Sequence, residues 1–156
     1  MLLLNDILEL ESMVPQDFAA YNVYDSMLQK NSFIDGLAKK ICHEFSINQS
    51  NLGVIVNSFL THGLPLGPHD YKTHYDRSIN QHWIYFCTRS QIVKGGEMIM
   101  LEDDPSFDLF DKPTDYKQYS IEHNKLIQIG PAVKRLFNSI SACSYPVFHI
   151  NLYTYD

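Results

Sequence analysis

The chain has 156 residues, of which 45% are hydrophobic and 19% are charged, and its net charge is −6. These values are typical of a globular protein with one hydrophobic core, and the length is too short for two comfortable domains. The negative charge argues against broad binding to nucleic acid or to an anionic membrane, because both partners require a basic surface.

Cysteine usage and the N-terminal residues predict a soluble, cytoplasmic protein. The three cysteines, Cys42, Cys87 and Cys143, are odd in number and lack CxxC spacing, which favours buried reduced thiols over a disulfide framework or a zinc knuckle. The apolar residues 1–4 end at Asn5, which makes them too short for a signal peptide. No stretch approaches the ~18 apolar residues of a membrane span.

The predicted elements begin with helices. Residues 25–29 form a weak helical segment, and residues 32–45 form a stronger one with Ser32 as the N-cap. Apolar residues recur every four positions on one face of the second helix, namely Phe33, Leu37, Ile41 and Phe45. The polar residues 48–51 then end the helical part of the chain.

From Gly53 onward, the pattern predicts short strands separated by turns that contain Gly and Pro. The predicted strands cover residues 54–56 with 59–60, 83–88, 98–101, 125–129 and 147–153. The acidic residues 102–115 interrupt this series and predict a solvated loop, with a lid or specificity loop over the mouth of a barrel as the alternative. Helices followed by many strands suit an α+β chain or an all-β barrel supported by helices, and we expect a mostly β chain with N-terminal helices.

His74 and Asp76 are the residues that most directly indicate chemistry. On extended backbone, residues two apart point to the same side, so this imidazole and this carboxylate converge on one point. Together they are two thirds of a 2-His-1-carboxylate site, which suits non-haem Fe(II) with open coordination positions. His82, just before residues 83–88, is expected to be structural, with an orientation toward the interior of a barrel as the alternative.

The motifs that follow His74 and Asp76 come in a recognisable order. Residues 84–88 are followed by Gly95-Gly96-Glu97, then by residues 124–129 and by a terminal strand. This order resembles the prolyl-4-hydroxylase-like branch of the Fe(II)/2-oxoglutarate-dependent dioxygenases, and the resemblance covers residues 54–156. It implies one domain, residues 1–156, with a double-stranded β-helix (a jelly-roll, cupin-like barrel) over residues 51–156 and helical support from residues 1–50.

The resemblance also implies a metal site and a cosubstrate site. His74 and Asp76 would be metal ligands and catalytic residues, and Asn138 falls at the position of the family's distal His ligand. His149 falls eleven residues later (149 − 138 = 11), where the family has an Arg or Lys that holds the 2-oxoglutarate carboxylate. Asn151 is a further cofactor-binding candidate, since it shares the strand face of His149.

Tyr85 completes the set of cofactor-binding candidates. The two departures from the family pattern leave three hypotheses open. Asn138 is a weak third ligand, or His149 is itself the third ligand, or the site has decayed. An amide oxygen binds Fe(II) less well than an imidazole does, and a His holds a carboxylate less firmly than an Arg does.

By this resemblance, the chain is an oxidoreductase that uses Fe(II) and 2-oxoglutarate to hydroxylate an amino acid, a peptide or a small natural product. The alternatives are a non-catalytic jelly-roll binding module, which has lost its third metal ligand, and a cupin-like enzyme with another metal and no 2-oxoglutarate. The expected partner is a small-molecule or peptide substrate, with no nucleic acid and no membrane. Exposed edge strands of a small barrel are also compatible with a homodimer.

Overall fold

The computed structural model describes residues 2–16, 18–48, 50–62, 66–69, 79–101, 117–130 and 133–155, with backbone alone for residues 66–69 and 101. The elements in chain order are α1 (Leu4–Ser12), β1 (Ala20–Asp25), α2 (Ser32–Glu44), β2 (Leu52–Phe59), β3 (Leu66–His69), β4 (Ile79–Cys87), β5 (Lys94–Gly95), β6 (Met98–Leu101), β7 (Lys117–Tyr119), β8 (Lys125–Ile129), β9 (Lys134–Phe137), β10 (Ile140–Ala142) and β11 (Val147–Tyr155). His74, Asp76 and the predicted acidic loop lie outside the described residues.

The helix α2 begins one residue earlier than a Ser32 cap requires. Its N-cap is Asn31, whose side-chain oxygen accepts hydrogen bonds from the N–H groups of Phe33 at 3.0 Å and Ile34 at 3.1 Å. The prediction of Ser32 as the cap is therefore wrong, because the amide oxygen of Asn31 already satisfies these two N–H groups. The predicted helical residues 25–29 form a turn at the end of β1.

Two antiparallel sheets make up most of the β structure. The large sheet has the strand order β1-β2-β11-β4-β8, and the small sheet has the order β3-β9-β6-β7. The strands β10 and β5 form a separate pair. From β2 onward, the chain passes repeatedly between the two sheets, since β2, β4, β8 and β11 belong to the large sheet while β3, β6, β7 and β9 belong to the small one.

The large sheet is buried on both faces, and each face has its own hydrophobic layer. The first layer lies between the helices and the sheet, where α1 and α2 contribute Ile7, Leu10, Ile34, Leu37 and Ile41 and the strands contribute Val54, Val56, Trp83, Tyr85, Phe148, Ile150 and Leu152. The second layer joins the large sheet to the small sheet and includes Phe59, Ile84, Phe86, Met98, Ile127, Phe137 and Val147. Because successive side chains of a strand point to opposite faces, β4 and β11 supply both layers.

Polar contacts attach α1 to the rest of the fold. The Arg89 guanidinium donates to both carboxylate oxygens of Glu11, at 2.7 and 2.9 Å, and lies 3.4 Å from the centre of the Tyr145 ring. Lys40 on α2 lies 3.3 Å from the Asp6 carboxylate on α1. Among the described residues, neither helix has the length and apolar character that a membrane span requires.

Candidate functional site

Four polar side chains interrupt the hydrophobic layer between the two sheets. They are His82 on β4, Arg135 on β9, and His149 and Asn151 on β11, and each is at most 3% exposed. Strand alternation places them there, because each lies two or four residues from an apolar side chain of this layer. These four side chains are called the interior polar cluster below.

His82 and Asn151 form a fixed hydrogen-bonded pair within this cluster. The Asn151 side-chain nitrogen donates to the Ile55 carbonyl at 3.3 Å, so its side-chain oxygen accepts from His82 Nε2 at 3.0 Å. The proton of His82 is thereby held on Nε2. This hydrogen bond fixes the orientation of the buried imidazole ring.

His149 lies in an apolar environment inside the cluster. Its ring centre is 4.7 Å from that of Phe59, 5.1 Å from that of Phe86 and 4.9 Å from that of Phe137. Burial, together with the nearby charge of Arg135, lowers the pKa of His149 to about 3. The imidazole is therefore neutral at physiological pH, and it has no charge with which to hold a carboxylate.

The positive charge of the cluster comes from Arg135. This side chain is 1% exposed and is close enough to His149 to depress the pKa of the imidazole. In the sheet register, Arg135 pairs with His69, the last residue of β3. The strand β3 therefore ends beside Arg135, and the next described residue is Ile79, the first residue of β4 in the large sheet.

Asn138 follows the opposite end of β9. Its neighbour Phe137 pairs with Leu66, the first residue of β3, while His69 at the far end of β3 pairs with Arg135. The Asn138 side chain donates to the Glu97 carboxylate at 3.2 Å, and its backbone N–H donates to the Glu97 carbonyl at 3.0 Å. These two contacts give Asn138 a structural role at the Gly95-Gly96-Glu97 turn.

The backbone conformation of this turn explains why both residues are glycine. Gly95 and Gly96 have φ angles of +78° and +73°, which residues with a side chain rarely adopt. The Gly96 N–H donates to the Ser139 carbonyl at 3.1 Å, so the turn packs directly against the residues after β9. The family-like Gly95-Gly96-Glu97 motif thus has a structural explanation in this chain.

Tyr85 lies apart from the interior polar cluster. It points to the opposite face of β4, into the layer against the helices, where it is fully buried. Its hydroxyl accepts from the Leu2 N–H at 3.4 Å and donates to the Asn124 side chain. Burial raises the pKa of Tyr85 to about 12. The structure brings His149 and Asn151 into one layer but separates Tyr85 from them.

The arrangement has two features that the sequence did not indicate. Arg135 is the buried cation of the site, and the only hint of it is a charged residue two positions before Phe137 on a short strand. The pairing of His82 with Asn151 depends on the register of β4 with β11, which no local pattern encodes. Within the described residues, no group of three or more His, Cys, Asp or Glu could hold a metal ion.

Comparison with solved structures relates this fold to an oxygenase family. The crystal structure of an oxidoreductase of the 2OG-Fe(II) oxygenase family from Burkholderia pseudomallei matches with a TM-score of 0.59 and 8% identity, over 97% of this chain and 78% of that one. An HTH_3 family transcriptional regulator from Vibrio cholerae is 14% identical over 97% of this chain and 61% of that one, and its TM-score of 0.40 supports no argument. No family model and no curated protein matches the chain. Over its described residues, the chain is thus β-rich with two helices, and it has a fold similar to that of a 2OG-Fe(II) oxygenase family structure.

Proposed function

We propose that this chain is an oxidoreductase of the Fe(II)/2-oxoglutarate dioxygenase type that hydroxylates an amino acid, a peptide or a small natural product. The observation that carries the proposal is a buried polar cluster between two antiparallel sheets, in a fold similar to that of a 2OG-Fe(II) oxygenase family structure. Three buried or half-buried thiols without disulfides favour a reducing, cytoplasmic compartment for this activity.

A closed double-stranded β-helix is part of this proposal. In the order β2, β3, β4, β6, β7, β8, β9, β11, the chain alternates between the sheets except that β6 and β7 form a pair in the small sheet, and strands distant in sequence become neighbours within each sheet. Such alternation is what winding an antiparallel ribbon into a jelly roll produces. The interior of the barrel would then be the layer that contains the interior polar cluster.

The residues present fit an anionic cosubstrate next to a metal. Arg135 supplies a buried positive charge, and His149 Nε2 is a buried polar atom with no hydrogen-bond partner among the described residues. The metal would be held by His74 and Asp76, with cosubstrate and water in the remaining positions. Asn138 is left out of the ligand set that we propose, because its side chain binds Glu97 beyond the far end of β9.

When bound, Fe(II) and 2-oxoglutarate supply the activation of O2, and the protein's own residues position the reactants. The Phe59, Phe86 and Phe137 rings exclude water around His149. The hydrogen bond from His82 Nε2 to Asn151 fixes both side chains on the interior faces of β4 and β11. A dry, rigid interior strengthens the attraction between Arg135 and a carboxylate.

Anaerobic titration of the protein with Fe(II) and 2-oxoglutarate tests this function. Chelation of iron by the keto acid gives a weak visible charge-transfer band, and we expect the band in the wild type but not in His74→Ala or Asp76→Ala. His43→Ala, at an exposed position on α2, is the matched control and should keep the band. A folded wild-type protein that binds no metal at high Fe(II) would rule out the proposed enzyme.

A second candidate is a non-catalytic binding module with the same fold. It is favoured by Arg135, a permanent cation buried beside the end of β3, since a neighbouring positive charge opposes the binding of a divalent cation. In this case, protein that has been purified without a chelator contains no iron, and it still binds a small ligand between its sheets. Metal analysis of the purified protein separates the two candidates.

A further inference from the structure

We propose that the edge strand β1 pairs with β1 of a second copy of this chain, in antiparallel orientation, so that the two large sheets form one continuous sheet. Among the described strands, only β2 pairs with β1, which stands at the end of the order β1-β2-β11-β4-β8. An edge strand presents a row of N–H and C=O groups that can pair with another chain. The proposed interface uses no residue of the interior polar cluster, so it does not depend on a metal or on a cosubstrate.

The strand β1 lacks the residues that protect the other edges of the two sheets. Lysine and proline at an edge discourage pairing between chains. The edge strands β7 and β8 begin with Lys117 and Lys125, and the edge strand β3 contains Pro68. The strand β1, Ala20–Asp25, contains neither residue type, and its only charged residue is Asp25 at its end. Among the described edges of the two sheets, β1 is therefore the one best suited to accept another strand.

The hydrogen bonds to β2 show which backbone groups of β1 point outward. The Leu60 N–H donates to the Ala19 carbonyl at 2.8 Å, and the regular register of β1 against β2 continues to Asn22. Residues of an antiparallel ladder alternate between bonded and non-bonded pairs, so Tyr21 bonds to β2 while Ala20 and Asn22 direct their N–H and C=O groups outward. Ala20 and Asn22 are both exposed, and a second strand can therefore reach these groups.

A bulge limits this open ladder to the first half of β1. The register against β2 shifts between Asn22 and Tyr24, and Val23 and Tyr24 are both buried in the layer against the helices. Such a bulge bends a strand and interrupts regular pairing. In the antiparallel pair of copies, Ala20 of each copy is therefore opposite Asn22 of the other, and each such pair exchanges both of its N–H···O bonds.

This register brings aromatic side chains together at the two-fold axis. Tyr21 faces Tyr21 of the second copy in a non-hydrogen-bonded pair, where side chains approach most closely. Phe18, which is 48% exposed, lies against Tyr21 with 5.5 Å between the ring centres. Pairing of two copies therefore covers both rings of each copy, and residues 18–22 contain no charge that would repel its counterpart. This self-complementarity favours a second copy of the chain over an unrelated strand.

The molecular mass of the full chain as a function of concentration tests this interface. The contact is smaller than a standard protein–protein interface, so we expect a dissociation constant of ~10–100 µM. Sedimentation should give the monomer mass of 18.1 kDa at ~1 µM and should approach twice that mass at ~1 mM. A protein that stays monomeric at ~1 mM would overturn the proposal.

Hydrogen exchange at the two concentrations locates the contact on the chain. The backbone amides of Ala20 and Asn22 should exchange more slowly in the concentrated sample than in the dilute one, because pairing of the copies protects both. The amide of Tyr21 bonds to β2 and should be protected in both samples. Exchange of Ala20 and Asn22 at the same rate in a dimeric and a monomeric sample would place the contact elsewhere and overturn the proposal.

Substitutions then assign the dimer to β1. Ala20→Pro removes an outward N–H but no hydrogen bond to β2, and it should weaken dimerisation by ~10-fold or more, since the symmetry removes one bond from each copy. Phe18→Asp should weaken dimerisation by ~10-fold or more, because it places two carboxylates near the axis, and it serves as the test if Ala20→Pro does not fold.

Ile92→Asp is the matched control for Phe18→Asp. Ile92 is an apolar residue that is 68% exposed and lies outside β1, so this variant should dimerise as the wild type does. Dimerisation that survives the β1 variants, or that Ile92→Asp weakens as strongly as Phe18→Asp does, would contradict pairing through β1.

Discussion

The protonation of the buried His149 links the interior of the protein to pH. Its pKa in the folded protein is lowered from 6.5 to about 3 by burial and by the charge of Arg135. Between these two values, the unfolded chain binds a proton that the folded chain does not bind. The contribution of His149 to stability is therefore complete above pH 6.5 and is lost progressively as the pH falls toward 3.

This linkage predicts a pH-dependent effect of His149→Phe. Between pH 7 and pH 5, the free energy of unfolding of the wild type should fall by about 2 kcal/mol through His149 alone, and the variant should lack this part of the decrease. Urea unfolding at both pH values measures the difference. Phe59→Leu is the control, because it loosens the packing around His149 without removing a titratable group. It should lower stability equally at both pH values. An unchanged pH profile in His149→Phe would contradict the buried neutral imidazole.

The packing of the Tyr153 ring explains why position 53 is a glycine. A Cβ atom at this position would overlap the ring of Tyr153, its partner across β2 and β11. We expect Gly53→Ala to lower the free energy of unfolding by ~1–3 kcal/mol through overpacking. Gly36→Ala on α2, where a Cβ meets nothing within 4 Å, should instead raise stability by ~0.5–1 kcal/mol.

A double-mutant cycle between Gly53→Ala and Tyr153→Ala identifies the cause of this loss. If the ring causes the overlap, the double variant is more stable than the sum of the two single effects predicts, because the added methyl group occupies the space that the ring vacates. Chemical denaturation of the four proteins gives the interaction energy. Additive effects would show that Gly53→Ala acts on the backbone rather than on Tyr153.

At the scale of elements, the start of α2 is determined by the Asn31 side chain. Asn31→Ala removes the acceptor for the N–H groups of Phe33 and Ile34 and should lower the free energy of unfolding by ~1 kcal/mol. Ser32→Ala is the matched control, because Ser32 is already the first residue of the helix and should change stability little. Urea midpoints of the two variants provide the measurement, and a larger effect of Ser32→Ala would reassign the cap.

The strands that could be predicted from sequence are those with continuous apolar or aromatic runs. The prediction for residues 125–129 is confirmed as β8, and those for residues 98–101 and 147–153 are confirmed as β6 and most of β11. The strands β1 and β9 were missed, because each mixes polar with apolar residues and is held by pairing with distant strands. Such strands depend on tertiary context more than on their own composition.

The site was predicted less completely than the strands for the same reason. His149 and Asn151 share a strand face by simple alternation, and the structure brings them into one layer. Tyr85 was named as a further cofactor-binding candidate, but it lies on the alternate face of β4, in the layer against the helices. The register of β9 against β3 places Arg135 beside His69, at one end of β3, and Asn138 next to the pair of Phe137 with Leu66, at the other end. This register depends on long-range pairing, which a motif alignment does not contain.

At the scale of the whole molecule, the large sheet connects the helices to the interior polar cluster. One face of β4 packs Trp83, Tyr85 and Cys87 against the helices, and the other face carries His82 between the sheets. A rigid sheet with both faces buried positions the cluster, so loss of the helices should disturb the site as well as the fold. The helices and the β part are therefore expected to unfold as one cooperative unit.

Thiol labelling tests this single unit, because the cysteines report on different parts of it. Cys42 on α2 and Cys87 on β4 are buried in the same layer, and burial raises their pKa values to about 11 and about 12. Both should resist labelling in the native protein, whereas the partly exposed Cys143 should react first.

In a Cys143→Ser background, pulsed labelling across a urea series, followed by mass spectrometry of each cysteine, should give one midpoint for Cys42 and Cys87. That midpoint should coincide with the loss of circular dichroism, since a two-state domain exposes all of its buried thiols in one transition. Labelling of Cys42 at lower urea than Cys87 would instead mean that α2 separates from the large sheet before the sheets themselves unfold. The helices would then be a detachable cover, and removing them would leave the interior polar cluster intact.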